Sequence, residues 1–203
     1  TAIDLDTAVV HLYVQGDTIE GEVTIADATA DIAGGLALIE DPATVTAPGD
    51  VDGDGRDDLW VGAPSQLDIE ANQGAGLLFT GPLTGQLTTD SATWRVSGTE
   101  AAQWLGSAVS GAGDIDGDGA MDLAISDNHG QVFLLYGGDD GVDTIDQAGA
   151  MLSAPSTSVR FGAGLSGGHE LSGEGPDDLL ITAPGRSANG DTGQLWLLVG
   201  HAI

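Results

Sequence analysis

Asp50-Val51-Asp52-Gly53-Asp54-Gly55-Arg56-Asp57-Asp58 decides how this chain is read, because its D-x-D-x-D-G-x-x-D pattern returns 64 positions on. The second copy is Asp114-Ile115-Asp116-Gly117-Asp118-Gly119-Ala120-Met121-Asp122. The spacing is that of a calcium loop. Carboxylates at positions 1, 3 and 5 turn inward, position 7 offers a backbone carbonyl, and position 9 adds a further carboxylate, so a hard cation finds an oxygen shell. Glycine at position 6 allows the sharp bend. A helix-loop-helix calcium hand needs a bidentate Glu at position 12, where Val61 and Ile125 stand, so a helical setting is disfavoured. Each loop instead runs into a short apolar stretch, Leu59-Trp60-Val61 or Leu123-Ala124-Ile125, which reads as a buried strand.

A third copy lies at Glu170-Leu171-Ser172-Gly173-Glu174-Gly175-Pro176-Asp177-Asp178, with Leu179-Leu180-Ile181 after it. Here the spacing outlasts the ligands. Ser172 offers a neutral oxygen, and the longer Glu170 and Glu174 must fold back to reach a centre shared with Asp178, so calcium is held more weakly.

Composition sets the outer bounds. The chain has 203 residues, 41% hydrophobic, with 33 Gly and only 4% aromatics, a mix that favours many short strands joined by turns. Cysteine is absent, which removes disulfide and thiol chemistry. The formal charge is −28, with four arginines and no lysine, so neither nucleic acid nor anionic lipid meets a basic footprint. No apolar run of 18 residues appears, which argues against insertion in a membrane as a helix. Such a surface suits a saline or calcium-rich exterior, where screening and bound cations relieve self-repulsion.

Aligned on the Asp loops, the chain repeats with a period of about 60 residues. Ahead of the second and third loops lie the small-residue runs 105–113 and 161–168, suited to a crowded centre, while 43–49 is a degenerate counterpart. Behind the loops come Val61-Gly62-Ala63-Pro64 and Ile181-Thr182-Ala183-Pro184, with Ile125-Ser126-Asp127-Asn128 departing from the pattern. A second apolar run comes next in each repeat, at 76–79, 131–136 and 194–199, and an outer strand at 93–96. Four strands per repeat is the pattern of a propeller blade. The expected organisation is one all-β partial propeller of about three blades. Residues 1–34 give the third and outer strands of a preceding or closing blade, 35–98 repeat 1, 99–158 repeat 2, and 159–203 repeat 3 without its outer strand. Val9–Val14 and Glu22–Ile25 read as third and outer strands that could complete the last blade. Because closed propellers typically need about four to eight blades, we expect self-association or further sequence to complete the ring, two copies giving six or seven blades.

These residues together resemble the FG-GAP repeat family, the blades of integrin alpha-subunit propellers and their bacterial relatives. The elements that carry the resemblance are Leu105-Gly106 and Phe161-Gly162, Gly62-Ala63-Pro64 and Thr182-Ala183-Pro184, and the two complete Asp loops. The resemblance spans nearly the whole chain, with Pro42, Asp127-Asn128 and Ser172 as departures. It implies that Asp50, Asp52, Asp54, the Arg56 carbonyl and Asp58 ligate one calcium between the first and second strands of a blade. Asp114, Asp116, Asp118, the Ala120 carbonyl and Asp122 would ligate another. It also implies that these ions stiffen loops on one face and that macromolecular ligands meet the opposite face.

For function, no catalytic constellation stands out. His11, His129, His169 and His201 form no H-E-x-x-H, no cysteine nucleophile exists, and Ser107 and Ser166 lack a G-x-S-x-G elbow. Trp60 and Trp196 sit within apolar strands and read as core, and packing is the favoured role for Trp104 as well. The expectation is a non-catalytic, calcium-stabilised binding or adhesion module, extracellular, cell-surface or periplasmic, with a protein or glycan ligand. Two alternatives are a purely architectural self-assembling propeller fragment and the accessory propeller of a secreted hydrolase.

Overall fold

A computed structural model describes residues 2–4, 9–12, 30–33, 44–65, 71–138, 141–154, 160–173, 175–185 and 192–202. Among them the regular elements are fifteen strands and two short 3-10 turns, in four sheets. The first complete blade is β4 (Thr44–Thr46), β5 (Leu59–Ala63), β6 (Ala75–Phe79) and β8 (Trp94–Ser97), an antiparallel meander. The second is β9 (Ala108–Gly113), β10 (Asp122–Ser126), β11 (Gln131–Leu135) and β12 (Ala150–Ser153), with the same order. The third has three strands, β13 (Gly164–His169), β14 (Asp178–Ala183) and β15 (Gln194–Leu198). The expected all-β propeller blades are therefore present, with each Asp loop joining a blade's first strand to its second.

Alternation along the strands explains how the sheets stack, since successive side chains point to opposite faces. From β5 and β6, Leu59, Val61, Leu77 and Phe79 enter one core, whereas Trp60 and Leu78 enter the next. From β10 and β11, Leu123, Ile125, Phe133 and Leu135 face the first blade, and Ala124, Val132 and Leu134 face the third. Leu179, Ile181 and Ala183 of β14 complete that last core. Strands buried on both faces read as continuous apolar runs, which is why these segments were legible without a polar alternation. At the centre the first strands approach closely: a Cβ on Gly111 would lie 2.9 Å from Pro48 Cα, and one on Gly167 would lie 2.7 Å from the Gly111 carbonyl oxygen. The family-like Leu105-Gly106 step works the same way. Leu105 is fully buried, while Gly106 has φ +96° and sits so near Ala75 O that a Cβ would be 2.6 Å away.

The N-terminal segments take the preceding of the two places the sequence left open, with a fourth strand that the sequence did not show. β1 (Ala2–Asp4), β2 (Val9–Leu12) and β3 (Ala30–Ala33) form a sheet whose fourth strand is β7 (Gly85–Thr88), paired parallel to β3. β7 lies between β6 and β8 in sequence and leaves its own blade to join this neighbour. Ile32 packs into the core lined by Leu59, Val61, Leu77 and Phe79, joined by Leu83 and Leu87. The sheet thus occupies the preceding position, beside the first blade. β15 pairs with β14 alone among the described strands, and Glu22–Ile25 lies outside the described residues. The outer face of the third sheet carries Leu195 at 65% and Leu197 at 44% exposure.

Candidate metal centres

The second and third Asp loops begin where the first strand bulges. In the second blade the pairing shifts between Asp122 and Leu123, and in the third between Ser166 and His169. Such bulges re-aim the chain at a strand end. In loop 1 the turn is drawn tight by its own carboxylates. Asp50 Oδ1 accepts from the N–H groups of Gly53 (2.8 Å) and Asp54 (3.0 Å), and its Oδ2 accepts from Gly55 N–H (2.8 Å). Asp52 Oδ1 accepts from Asp54 N–H at 3.1 Å. Loop 2 repeats the plan, with Gly119 N–H donating to Asp114 Oδ2 (3.1 Å) and Asp118 N–H to Asp116 Oδ1 (3.2 Å). Gly55 and Gly119, with φ +86° and +94°, make the bend that other residues resist.

This folding brings carboxylates together in two places. One oxygen each from Asp50, Asp52 and Asp58 lie within 4.8 Å of one another, and so do oxygens of Asp114, Asp116 and Asp122. Asp54 and Asp118, at position 5, are outside these trios. Asp54 Oδ1 accepts from Arg56 N–H (2.9 Å) and its Oδ2 pairs with the Arg56 guanidinium (2.8 Å), while Asp118 Oδ1 accepts from Ala120 N–H (2.7 Å). In loop 3, Glu170 Oε1 accepts from Gly173 N–H and from Ser172 Oγ (3.1 Å), so it does fold back over the turn. Among the described residues no trio gathers there, and Glu174 lies outside them.

Two features of loop 2 show a place prepared for positive charge. Asp114 Oδ1 is buried and has no hydrogen-bond partner, a costly state for a carboxylate oxygen unless a cation meets it. Burial also pushes the Asp122 carboxyl up to about 6, against the opposing effect of N–H donors from Gly137 and Ile115 and with the help of Asp116 and Asp118 nearby. A dication between these carboxylates would remove both penalties, and the all-oxygen donor set suits a hard cation.

The ninth position has a second duty that sequence reasoning missed. Asp58, Asp122 and Asp178 each accept with Oδ2 from the N–H of position 2, namely Val51, Ile115 and Leu171, all at 2.8 Å. With Oδ1 they accept from Gly81 (3.0 Å), Gly137 (2.7 Å) and Gly200 (3.0 Å). Each of these glycines stands two residues past the end of its blade's third strand. Each also lies against the backbone oxygen of loop position 8, Asp57, Met121 or Asp177, where a Cβ would collide. The aspartate is therefore a staple between loop and third strand. It persists in loop 3, where burial works to raise the Asp178 carboxyl but the N–H donors of Gly200, Leu171 and Ser172 outweigh it and hold the group below its ordinary value. A recurring glycine two residues beyond each third strand was the available signal.

Loop 2 is also tied to the next blade. Asp114 N–H donates to Asp177 Oδ2 (3.1 Å), Asp177 N–H returns a bond to Asp114 O (3.0 Å), and His201 N–H donates to Ile115 O (2.9 Å). At the opposite end of the blades, buried Asp127 accepts from His129 and Gln131 N–H groups, both at 2.9 Å, and lies 3.4 Å from Gln103 Nε2. Asn128 N–H in turn donates to Gln103 O (2.9 Å), which gives the Asp127-Asn128 departure a structural role in tying the β10–β11 turn to the segment that leads into β9.

Comparison with known proteins agrees with this architecture. Residues 43–79, spanning β4, loop 1 and β6, match the FG-GAP repeat. Integrin alpha-IIb of Mus musculus is 32% identical over 150 residues, covering 68% of this chain and 14% of the relative. Integrin alpha-PS3 of Drosophila melanogaster is 34% identical over 148 residues, covering 68% of this chain and 13% of the relative. Integrin alpha-X of Homo sapiens is 41% identical over 96 residues, 46% of this chain and 8% of the relative. The chain thus spans about a seventh of the length of the first two.

Proposed function

We propose, from the premise that this chain belongs to the FG-GAP repeat family of integrin-like β-propellers, that it is a non-catalytic, calcium-stabilised binding or adhesion module working outside the cell. The observation that carries the calcium reading is the buried, unpartnered Asp114 Oδ1 beside the Asp116 and Asp122 carboxylates. Asp114, Asp116, Asp118, Asp122 and the Ala120 carbonyl would hold one ion, and Asp50, Asp52, Asp54, Asp58 and the Arg56 carbonyl another. The remaining set, Glu170, Ser172, Glu174 and Asp178, would hold calcium weakly. Bound calcium supplies positive charge that relieves the carboxylate crowding, and its binding free energy adds to folding.

The reading that a protein or glycan ligand meets the opposite end rests on backbone strain concentrated there. Asn72, Ala102 and Trp104 have φ of +54°, +56° and +55°, held by Ala102 N–H to Ala71 O and Trp104 N–H to Asn72 O. Non-glycine residues in this region cost about 1–3 kcal/mol each and gather at ligand clamps and active sites. Among the described residues no helix is long and apolar enough to cross a membrane.

A second reading is favoured by the outer face of the third sheet. Leu195, Leu197 and Val199 are exposed where the equivalent faces of the first two blades are buried against a neighbour. That face supports a self-assembling propeller, a second copy completing the ring. Thermal melting tests the calcium reading: chelation lowers the melting temperature and added calcium restores it. Identical melting curves with and without chelator would sink it.

A further inference from the structure

Resting on the calcium reading above, we infer that the two complete Asp loops are unequal cation sites and that Arg56 sets the difference. In loop 1 both oxygens of Asp54 are engaged by this one residue, Oδ1 by its N–H (2.9 Å) and Oδ2 by its guanidinium (2.8 Å). The loop therefore already contains a cation of its own. An incoming ion must part that pair or accept a carboxylate whose charge is spent, and it meets repulsion from the guanidinium. In loop 2 the same position is Ala120, which binds Asp118 Oδ1 through its N–H alone and brings no charge.

The first carboxylates differ in the same direction. Asp50 has both oxygens satisfied by N–H groups of Gly53, Asp54 and Gly55, so a cation relieves little there. Asp114 has one oxygen satisfied by Gly119 N–H and the other buried without a partner. Loop 2 is moreover fixed in advance by the third blade, through the paired Asp114–Asp177 bonds and the His201 to Ile115 bond. A prearranged cage loses less freedom on binding. Asp116 is buried, whereas Asp52 is exposed, which leaves loop 1 more open to screening by salt. Loop 2 fills first and acts as the standing clamp between blades, and loop 1 answers to higher calcium.

Calcium titration by isothermal calorimetry decides the matter, with the two binding events assigned by Asp52→Asn and Asp116→Asn. Wild type should show two unequal affinities, the tighter one lost in Asp116→Asn. Arg56→Gln should raise the loop 1 affinity about two- to fivefold and leave loop 2 unchanged, the size expected when a partly exposed ion pair is removed. Ala120→Arg should lower the loop 2 affinity by a similar factor. Arg160→Gln, which removes the same charge from the third blade, should move neither. Equal affinities in wild type, no response to Arg56→Gln, or an equal response to Arg160→Gln would overturn the inference while leaving calcium binding intact. No calcium heat at either loop would instead remove the reading beneath it.

Discussion

Asp178 separates the two duties of the ninth loop position, because it sits in the loop whose other ligands have eroded. Its side chain is fully buried and accepts from Leu171 N–H (2.8 Å), Ser172 N–H (2.7 Å) and Gly200 N–H (3.0 Å). Asp178→Ala leaves three backbone donors without an acceptor. Leu171 and Ser172 are partly accessible and can recruit water, but Gly200 N–H is buried. A buried donor stripped of its partner costs about 1–3 kcal/mol, and bonds to a charged acceptor sit at the upper end. With the two rehydrated donors adding less, the loss is about 3–5 kcal/mol. For a chain of this size that lowers the melting temperature by about 6–20 °C.

Calorimetric or circular-dichroism melting in chelator and in excess calcium reads the effect. The decrement should be present in full in chelator, since the staple does not need an ion, and excess calcium should add little to it. Asp52→Ala is the contrast: Asp52 accepts one exposed bond, from Asp54 N–H, so in chelator its loss should fall within about 0.5 kcal/mol, with a larger loss only in calcium. An Asp178→Ala decrement below about 1 kcal/mol, or one seen only in calcium, would refute the staple and make the residue a ligand like the others.

Other consequences can be checked with the same preparations. Gly137→Ala places a methyl against the Met121 carbonyl and should cost about 1–3 kcal/mol in a melt, whereas alanine at Gly53, where a Cβ meets nothing, strains only the positive φ of +79°. Proton and calcium should compete at loop 2. With the Asp122 carboxyl raised to about 6, the stabilising proton is held below the ordinary aspartate value and lost as pH rises through 6, so calcium affinity should fall about tenfold between pH 7 and pH 5 with proton release on binding. Titration calorimetry in two buffers of different ionisation heat would expose a flat profile, which contradicts the assignment. If a second copy covers the outer face of the third sheet, Leu197→Glu should yield monomers by light scattering; a wild-type monomer removes that role for the face.

The fold was readable where one period governed the chain. Trp60, Leu123 and Leu179 announced buried strands because the Asp loop fixes the residue at which each second strand must begin. β7 was not readable. Gly85-Gln86-Leu87-Thr88 offers one apolar side chain, and its parallel partner, β3, lies far back in sequence, so no local pattern could announce the pairing. The candidate site was half legible: spacing brought Asp50, Asp52 and Asp58 together, and likewise Asp114, Asp116 and Asp122, as a calcium loop requires. It could not show that Arg56 folds onto Asp54, because a charged residue at position 7 contributes its carbonyl in the motif and its side chain only in the structure.

Treating the Asp loop as two overlapping devices explains why its third copy survives. A cation needs several convergent oxygens, so losing position 3 to Ser172 and lengthening positions 1 and 5 to Glu170 and Glu174 would weaken binding at once. The staple needs only the ninth carboxylate, the N–H of position 2 and a glycine past the third strand, and Asp178, Leu171 and Gly200 keep all three. The geometry of the loop is therefore set by backbone hydrogen bonding, and the calcium proposed above would add to a turn already closed. A blade built this way would keep its fold without a metal, so cation affinity could differ from loop to loop without disturbing the stacked sheets.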